Sequence, residues 1–123
     1  MRFVVALFLF VHGFAHTVGF VVPWRIAKLE EAPYKTTVLA GKVDVGHVGI
    51  RFIGVIWLLT ALTFFAAGGL LVGRYPWWQP LTLGTALFST VLCVAGLPES
   101  RLGIPVNILI LIVVLLGGTI GLP

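Results

Sequence analysis

The sequence predicts an all-α fold, an integral membrane antiparallel four-helix bundle, from its composition, its four long apolar stretches and the positions of its prolines. Of the 123 residues, 59% are hydrophobic and 10% are charged, which leaves too little polar surface to cover a soluble globule of this size. The mean hydropathy of +1.13 agrees with this. A soluble domain this short would expose large apolar patches and aggregate. We therefore expect a single transmembrane domain over residues 1–123.

Four apolar stretches are long enough to cross the hydrocarbon core of a bilayer, which needs about 20 helical residues, or fewer where flanking side chains help. All seven prolines lie at or outside the limits of these stretches, since inside one they would remove a hydrogen bond that lipid cannot replace. Aromatic residues at three of the boundaries, among them Trp24 and Trp77, are typical of a membrane interface. The predicted spans are residues 3–22, 48–72, 81–97 and 106–122.

The first loop, residues 23–47, is the largest polar segment, and its charges are of both signs. We expect it to lie on the membrane surface. Its first part, residues 24–31, is compatible with a short interfacial helix that ends before Pro33, whereas residues 36–45 have no clear pattern.

A secretory signal is the alternative interpretation of the first span. Arg2, the apolar run and the triplet Gly13-Phe14-Ala15 resemble a signal and its cleavage site. Apolar residues continue past that site to Val22, which favours an uncleaved span. If the purified protein began at His16, the first span would have been cleaved and three spans would remain.

The distribution of Lys and Arg predicts the topology and excludes one class of partner. The net charge of +4 is dispersed beside apolar runs, which is typical of membrane-flanking anchors and not of a nucleic-acid surface, so the expected environment is the lipid bilayer. We expect a multi-pass protein of the cell inner membrane. The positive-inside rule places the first and third loops in the cytoplasm, although Arg2 at the start of the first span favours the reverse.

Small and weakly polar residues at helical spacing predict the faces that pack inside the bundle, because helices associate in lipid through close contacts and a few hydrogen bonds. The third span has the clearest stripe: Thr82, Thr85, Ser89, Cys93 and Gly96. The second span has a similar one: Gly54, Ala61 and Gly68.

The ionisable and amide side chains near the spans are few, and each is a candidate for function because such groups are expensive in a membrane. His12 and His16 are four residues apart on one helical face, as are His47 and Arg51. An antiparallel hairpin brings the end of the first span beside the start of the second, and the third loop lies on the same side. The candidate polar cluster comprises His12, His16, Asp44, His47, Arg51, Glu99, Arg101 and Asn107.

A metal or haem site is one hypothesis for the histidines. His12 and His16 have the spacing of metal ligands, His47 is a candidate third ligand, and a bis-histidine haem between the first two helices is compatible with the sequence. The simpler alternative is that neutral histidines form hydrogen bonds between helices. No nucleophile–base pair, phosphate-binding loop or intramembrane carboxylate pair is evident, so we expect no catalysis and no cofactor.

The segment Leu7-Phe-Leu-Phe-Val-His-Gly-Phe-Ala-His16, followed by Gly19-Phe20, resembles the first helix of DoxX-like proteins, small four-span bacterial membrane proteins. The DoxX pattern usually has a basic residue, often Lys, where His16 stands, and the first loop has no counterpart there. The resemblance implies a bacterial inner-membrane partner of redox or transport systems, and it transfers no catalytic residue.

We therefore expect an accessory or transport-linked membrane subunit that associates with a partner membrane subunit or with copies of itself. The alternatives are a histidine-ligated metal or haem redox protein and a purely structural or assembly protein.

Overall fold

The computed structural model describes all 123 residues and is almost entirely helical. The all-α prediction is confirmed. Two short strands form the only sheet, an antiparallel hairpin in the first loop. The elements are α1 (Arg2–His16), α2 (Val18–Val21), β1 (Thr37–Val38), β2 (Val43–Asp44), α3 (Gly46–Val72), α4 (Trp78–Ala95), α5 (Gly103–Leu115) and a 3-10 helix (Gly117–Ile120).

The first predicted span is two helices in close succession. Thr17 separates α1 from α2, and both its amide and its hydroxyl donate to the carbonyl of Phe14, at 3.0 and 2.6 Å. These bonds tighten the turn locally without ending the apolar segment. Residues 2–21 therefore remain one membrane-length unit.

Three helical segments are long and apolar enough to cross a membrane, namely residues 2–21, α3 and α4. The fourth, α5, is apolar but has only 13 residues. Contrary to expectation, Pro80 and Pro105 lie within helices, each in the first turn. A proline is tolerated there because the first amides of a helix have no acceptor within the helix.

The helices pack in sequence, with α1 and α2 against α3, α3 against α4, and α4 against α5. Glycines allow α1 and α3 to approach closely, since a Cβ atom on Gly13 would lie 3.0 Å from the carbonyl oxygen of Ala61. The largest fully buried apolar side chains include Leu9, Phe64 and Trp78. The two predicted small-residue faces are largely confirmed: Gly54, Ala61, Gly68, Thr82, Thr85, Ser89 and Cys93 are all buried.

The outer surface of the helices is apolar, and a few polar side chains are buried among the apolar residues of the interior. Large apolar side chains on the outside of the helices are widely exposed, for example Phe14 at 71% and Val91 at 69%. By contrast, Asn107 and Ser89 are 0% exposed and His16 is 3% exposed. A protein in water has the opposite preference, because exposed apolar area and buried polar groups both raise its free energy.

The predicted interfacial helix over residues 24–31 is wrong. The amides of Ile26 and Ala27 bond back to the carbonyl of Val21, and Arg25 adopts a φ of 57°, so this segment forms turns. Further along the loop, the hairpin of β1 and β2 is attached to the end of α4, where the amide of Leu39 donates to the carbonyl of Ala95 at 2.8 Å.

Candidate ligand-binding site

A cavity of about 540 Å³ lies at one end of the bundle, where α1 and α4 end and α3 and α5 begin, and the first loop covers it. This volume is in the range of about 300 to 1,000 Å³ that is usual for small-molecule sites. The first loop contributes Val38 and Tyr34, and α3 contributes Trp57. More than half of the lining residues are hydrophobic, and His12, His16 and Cys93 supply polar atoms from the interior. The cavity therefore combines apolar walls with a polar floor.

The direction of the hydrogen bonds at this floor follows from one backbone acceptor. Nδ1 of His16 lies 2.9 Å from the carbonyl oxygen of His12, which can only accept, so Nδ1 carries the hydrogen. In the neutral ring, Nε2 of His16 is then an acceptor. The hydroxyl of Ser89, 2.6 Å away, is its donor.

Asn107 completes the network from the opposite side. Its amide nitrogen donates to Oγ of Ser89 at 2.9 Å and lies 3.9 Å from Sγ of Cys93. Its amide oxygen accepts from Nε2 of His12 at 2.8 Å. The bonds connect α1, α4 and α5, and the side chains of Ser89 and Asn107 that form them are fully buried. We call His12, His16, Ser89, Cys93 and Asn107 the polar network.

One acceptor in the network has no partner. Because Nε2 of His12 carries the hydrogen that Asn107 accepts, Nδ1 of the neutral ring bears a lone pair. Nδ1 is not sealed inside the protein, since the only fully buried side-chain nitrogen or oxygen without a partner is Nε of Arg2. His12 lines the cavity, and Nδ1 is the nitrogen of its ring that has no hydrogen-bond partner within the protein.

Aromatic side chains fix both imidazole rings. Phe64 contacts His12 and His16 edge to face, with ring centroids 4.9 and 5.2 Å apart. The ring of Trp57 lies 5.2 Å from that of His16. These contacts restrict the rotamers on which the hydrogen bonds depend.

The polar network contains a contact that sequence reasoning did not anticipate, a hydroxyl within bonding distance of an imidazole. Ser89 and His16 have the geometry of a nucleophile and its base, and the carbonyl of His12 orients the ring. Ser89, however, is 0% exposed, does not line the cavity and already accepts from Asn107. We therefore assign it to hydrogen bonding between helices.

An ion pair closes the rim of the cavity. Nζ of Lys35, in the first loop, donates to Oε2 of Glu99 at 2.7 Å, and both residues line the cavity. Partial burial raises the pKa of the Glu99 carboxyl, but the hydrogen bonds and the charge of Lys35 outweigh it, so the pKa lies below its ordinary value of 4.5. The pair attaches the loop to the turn between α4 and α5.

We expect this ion pair to give a pH-dependent contribution to stability of at most about 1 kcal/mol, since both side chains are partly exposed. A lowered pKa in the folded state means that the contribution is complete above pH 4.5 and is lost as the pH falls through the folded pKa. Thermal unfolding of the native protein and of Glu99→Gln between pH 3 and 7, roughly the range over which a carboxyl titrates, measures it. The difference in unfolding temperature between the native protein and Glu99→Gln should become smaller towards low pH. A difference that is constant with pH would contradict a stabilising ion pair between Lys35 and Glu99.

The predicted cluster divides in the structure. His12, His16 and Asn107 meet in the polar network, and Glu99 lies at the cavity rim. The remaining members lie elsewhere: His47 and Arg51 are on the exposed side of α3, whose buried face at this end is formed by Ile50 and Gly54. Asp44 accepts from the amide of Gly46 at 2.9 Å, His47 contacts Tyr34, and Arg51 and Arg101 are exposed.

Sequence reasoning placed Ser89 and Cys93 on an inner stripe but did not identify them as site residues. Their spacing of four, on the face that later meets Asn107, was the available signal. Lys35, Tyr34 and Trp57 gave no such signal, because their contacts come from distant parts of the chain.

The three histidines do not come together as a metal site. The structure contains no group of three His, Cys, Asp or Glu side chains placed to hold a metal ion. Both ring nitrogens of His16 are engaged, so ligation there would have to displace its bond to Ser89 or to the carbonyl of His12. Nδ1 of His47 is bonded to the hydroxyl of Tyr34 at 2.6 Å. The donor set therefore does not fit a three-histidine centre, and the bis-histidine haem stays a prediction.

Comparisons with protein-family models, with curated proteins and with solved structures found no match to this chain. The resemblance to DoxX-like proteins stays a prediction.

Proposed function

We propose that this chain is a multi-pass protein of the bacterial inner membrane that binds a small, mainly apolar molecule, and that it acts as an accessory or transport-linked subunit. The observation that carries the proposal is the cavity of about 540 Å³ with apolar walls and the polar network at its floor. Three features support the proposal: the apolar outer surface of the helices, the lining of the cavity, and the hydrogen bonds that occupy Ser89 and Asn107.

The apolar outer surface supports a lipid environment. Residues such as Phe14 and Val91 would be stabilised by acyl chains, whereas in water they would drive aggregation. The fourth crossing needs both α5, about 20 Å long, and the following 3-10 helix, which adds about 8 Å. Their sum of about 28 Å is close to the hydrocarbon thickness of about 30 Å. Four crossings are thus compatible with the helix lengths.

The cavity lining supports a ligand with an apolar body and one hydrogen-bond donor. The indole of Trp57 and the aliphatic side chains of Val38 and Val106 favour an apolar body. The unpaired Nδ1 of His12 favours a hydroxyl or similar donor at one end. Lys35 and Glu99 neutralise each other at the rim, and Glu31 also lines the cavity, so the cavity does not favour an anionic ligand.

Binding or transfer of such a molecule is favoured over its chemical conversion. The hydrogen-bonding groups of Ser89 and Asn107 are committed to each other and to the histidines. No intramembrane carboxylate stands in the network to accept a proton. The arrangement is therefore suited to holding a molecule and not to activating it.

Photolabelling in lipid nanodiscs tests the proposal. The probe is a trifluoromethyl-phenyldiazirine that carries a benzyl alcohol group, which has an apolar body and a single hydroxyl donor. We expect mass spectrometry to locate the adducts on cavity residues, with Trp57 and Cys93 among them. Val38→Trp should reduce this labelling at least about fivefold, because the indole fills the cavity from the loop side and excludes the probe.

Val43→Trp is the matched control. Val43 pairs with Val38 in the hairpin but is exposed and does not line the cavity. It should label like the native protein. Adducts confined to the lipid-facing residues, or equal labelling of both tryptophan variants, would overturn the proposal.

A further inference from the structure

A second cavity, of about 310 Å³, lies on the outer side of the first loop where α3 begins. Five residues line it: Arg25, Tyr34, His47, Val48 and Arg51. We propose that this cavity, which we call the basic pocket, binds a phosphate group, supplied either by an anionic lipid headgroup or by a soluble phosphate. It is separate from the larger cavity, and Tyr34 lies in the wall between the two.

The two arginines of the basic pocket are held by aromatic rings. The guanidinium of Arg25 lies 4.5 Å from the ring centroid of Tyr34, and that of Arg51 lies 5.4 Å from the ring centroid of Trp24. Cation–π contacts of this kind orient a guanidinium without using its N–H groups. The single ion pair of the protein is elsewhere, between Lys35 and Glu99, so both guanidinium groups keep their donors for an anion.

Tyr34 and His47 add a third donor. The phenol hydroxyl lies 2.6 Å from Nδ1 of His47, and the two rings are nearly parallel, with an interplanar angle of 10°. When the hydroxyl donates to Nδ1, the neutral imidazole carries its hydrogen on Nε2. His47 is exposed and lines the pocket, so this N–H is accessible to a ligand.

The backbone brings the arginines together from different segments. Nε1 of Trp24 donates to the carbonyl of Arg51 at 3.0 Å, which fastens the beginning of the loop to the first turns of α3. Arg25 follows immediately with a φ of 57°, a left-handed conformation that is unfavourable for a residue other than glycine. Such strain is found where a side chain is held in a required position. Here it directs Arg25 to the ring of Tyr34.

The charge balance of the pocket favours an anion. The carboxylate nearest to His47 in the sequence, that of Asp44, accepts a hydrogen bond from the amide of Gly46 at 2.9 Å. Two permanently charged guanidinium groups line the pocket, and no carboxylate does. Planar guanidinium groups match the oxygen atoms of a phosphate in pairs, which a lysine ammonium cannot do. A lipid source also requires that α3 enter the membrane near Trp24, and this part rests on the proposed function.

Calorimetric titration of the full chain in a neutral detergent tests the proposal. The probes are dihexanoyl phosphatidylglycerol, dihexanoyl phosphatidylcholine and inorganic phosphate. We expect saturable binding of at least one of the two anionic probes. Tight binding of phosphatidylglycerol alone identifies the headgroup as the source, whereas equal binding of inorganic phosphate identifies a soluble phosphate.

The decisive variant is the double substitution Arg25→Lys with Arg51→Lys, which preserves charge but removes the paired N–H donors. We expect it to weaken binding at least about tenfold, because the geometry of the contact is lost. Arg101→Gln is the control, since Arg101 is exposed and lies outside the pocket. Loss of the positive charge of Arg101, which lies outside the pocket, should weaken binding about fivefold or less.

Three results would overturn the basic pocket: no saturable binding of either anionic probe, native affinity in the lysine double variant, or an equal loss in Arg101→Gln. Thermal unfolding of the lysine double variant shows whether a loss of binding comes from a loss of folding. Tyr34→Phe removes the bond to His47 and leaves both arginines intact, so its affinity for the anionic probes is a second measurement of the pocket. Val38→Trp should leave phosphate binding unchanged, because Val38 lines only the larger cavity. The proposed ligand binding in the larger cavity and the proposed phosphate binding in the basic pocket can therefore fail independently.

Discussion

Replacing Asn107 with leucine is expected to lower the free energy of unfolding by about 2 kcal/mol. Leucine has a similar size and removes every hydrogen bond that joins α5 to the polar network. His12 then loses the acceptor of its Nε2 hydrogen, and Ser89 loses a donor, both in the interior of the bundle. Hydrogen bonds between membrane helices average about 0.6 kcal/mol each, and the partners left unpaired add to this loss.

Circular dichroism during unfolding in detergent measures the effect. Thr63→Val is the control, because the hydroxyl of Thr63 bonds only to carbonyls of its own helix. We expect its effect to stay within about 0.5 kcal/mol, as for substitutions that break no contact between helices. If Asn107→Leu were as stable as the control, the network would not hold the bundle together.

A methyl group at Gly19 is expected to destabilise the protein by about 2 to 3 kcal/mol, at the upper end of the usual cost of overpacking. The Cβ atom of an alanine there would lie 2.3 Å from both Cγ and Cδ2 of Trp57. It would also lie 2.9 Å from Cβ of Trp57, so rotation of the indole alone does not remove the clash. The backbones of α2 and α3 must therefore separate.

Gly69→Ala is the matched control for Gly19→Ala. Gly69 lies in α3, and no atom lies within 4 Å of the Cβ position. Alanine should stabilise the helix by about 0.5 to 1 kcal/mol there, because glycine loses more backbone entropy on folding. Since Trp57 also lines the larger cavity, Gly19→Ala should change the photolabelling pattern, and Gly69→Ala should not. Equal stability of the two variants would contradict the close contact of α2 with α3.

Local patterns predicted much of the helical framework. The length of an apolar run and the step of three to four residues along α4 depend only on helix geometry, so the inner stripe that includes Ser89 and Cys93 was evident without tertiary information. The same geometry placed His12 and His16 on one face. The boundaries were less certain, because proline is compatible with the first turn of a helix as well as with a loop, as Pro80 and Pro105 show.

The prediction from local patterns was wrong in the first loop. Residues 24–31 have an acceptable composition for a helix, but the bonds of Ile26 and Ala27 to the end of α2 are more favourable in the folded protein. The hairpin of β1 and β2 depends on the end of α4, which supplies the acceptor for Leu39. The helix propensity of a residue does not depend on these tertiary hydrogen-bond partners, so it could not predict them.

Hydrophobic periodicity and the cost of burying polar groups are local properties, so they were enough to predict a helical chain and to mark its few polar side chains as candidates for function. The packing of the helices and the path of the first loop determine which of those side chains come into contact. Asn107 reaches His12 across 95 residues of chain, and Arg25 and Arg51 share a pocket because Trp24 fastens the loop to α3. Such pairings depend on how helices cross and where a loop returns, which helical spacing does not specify.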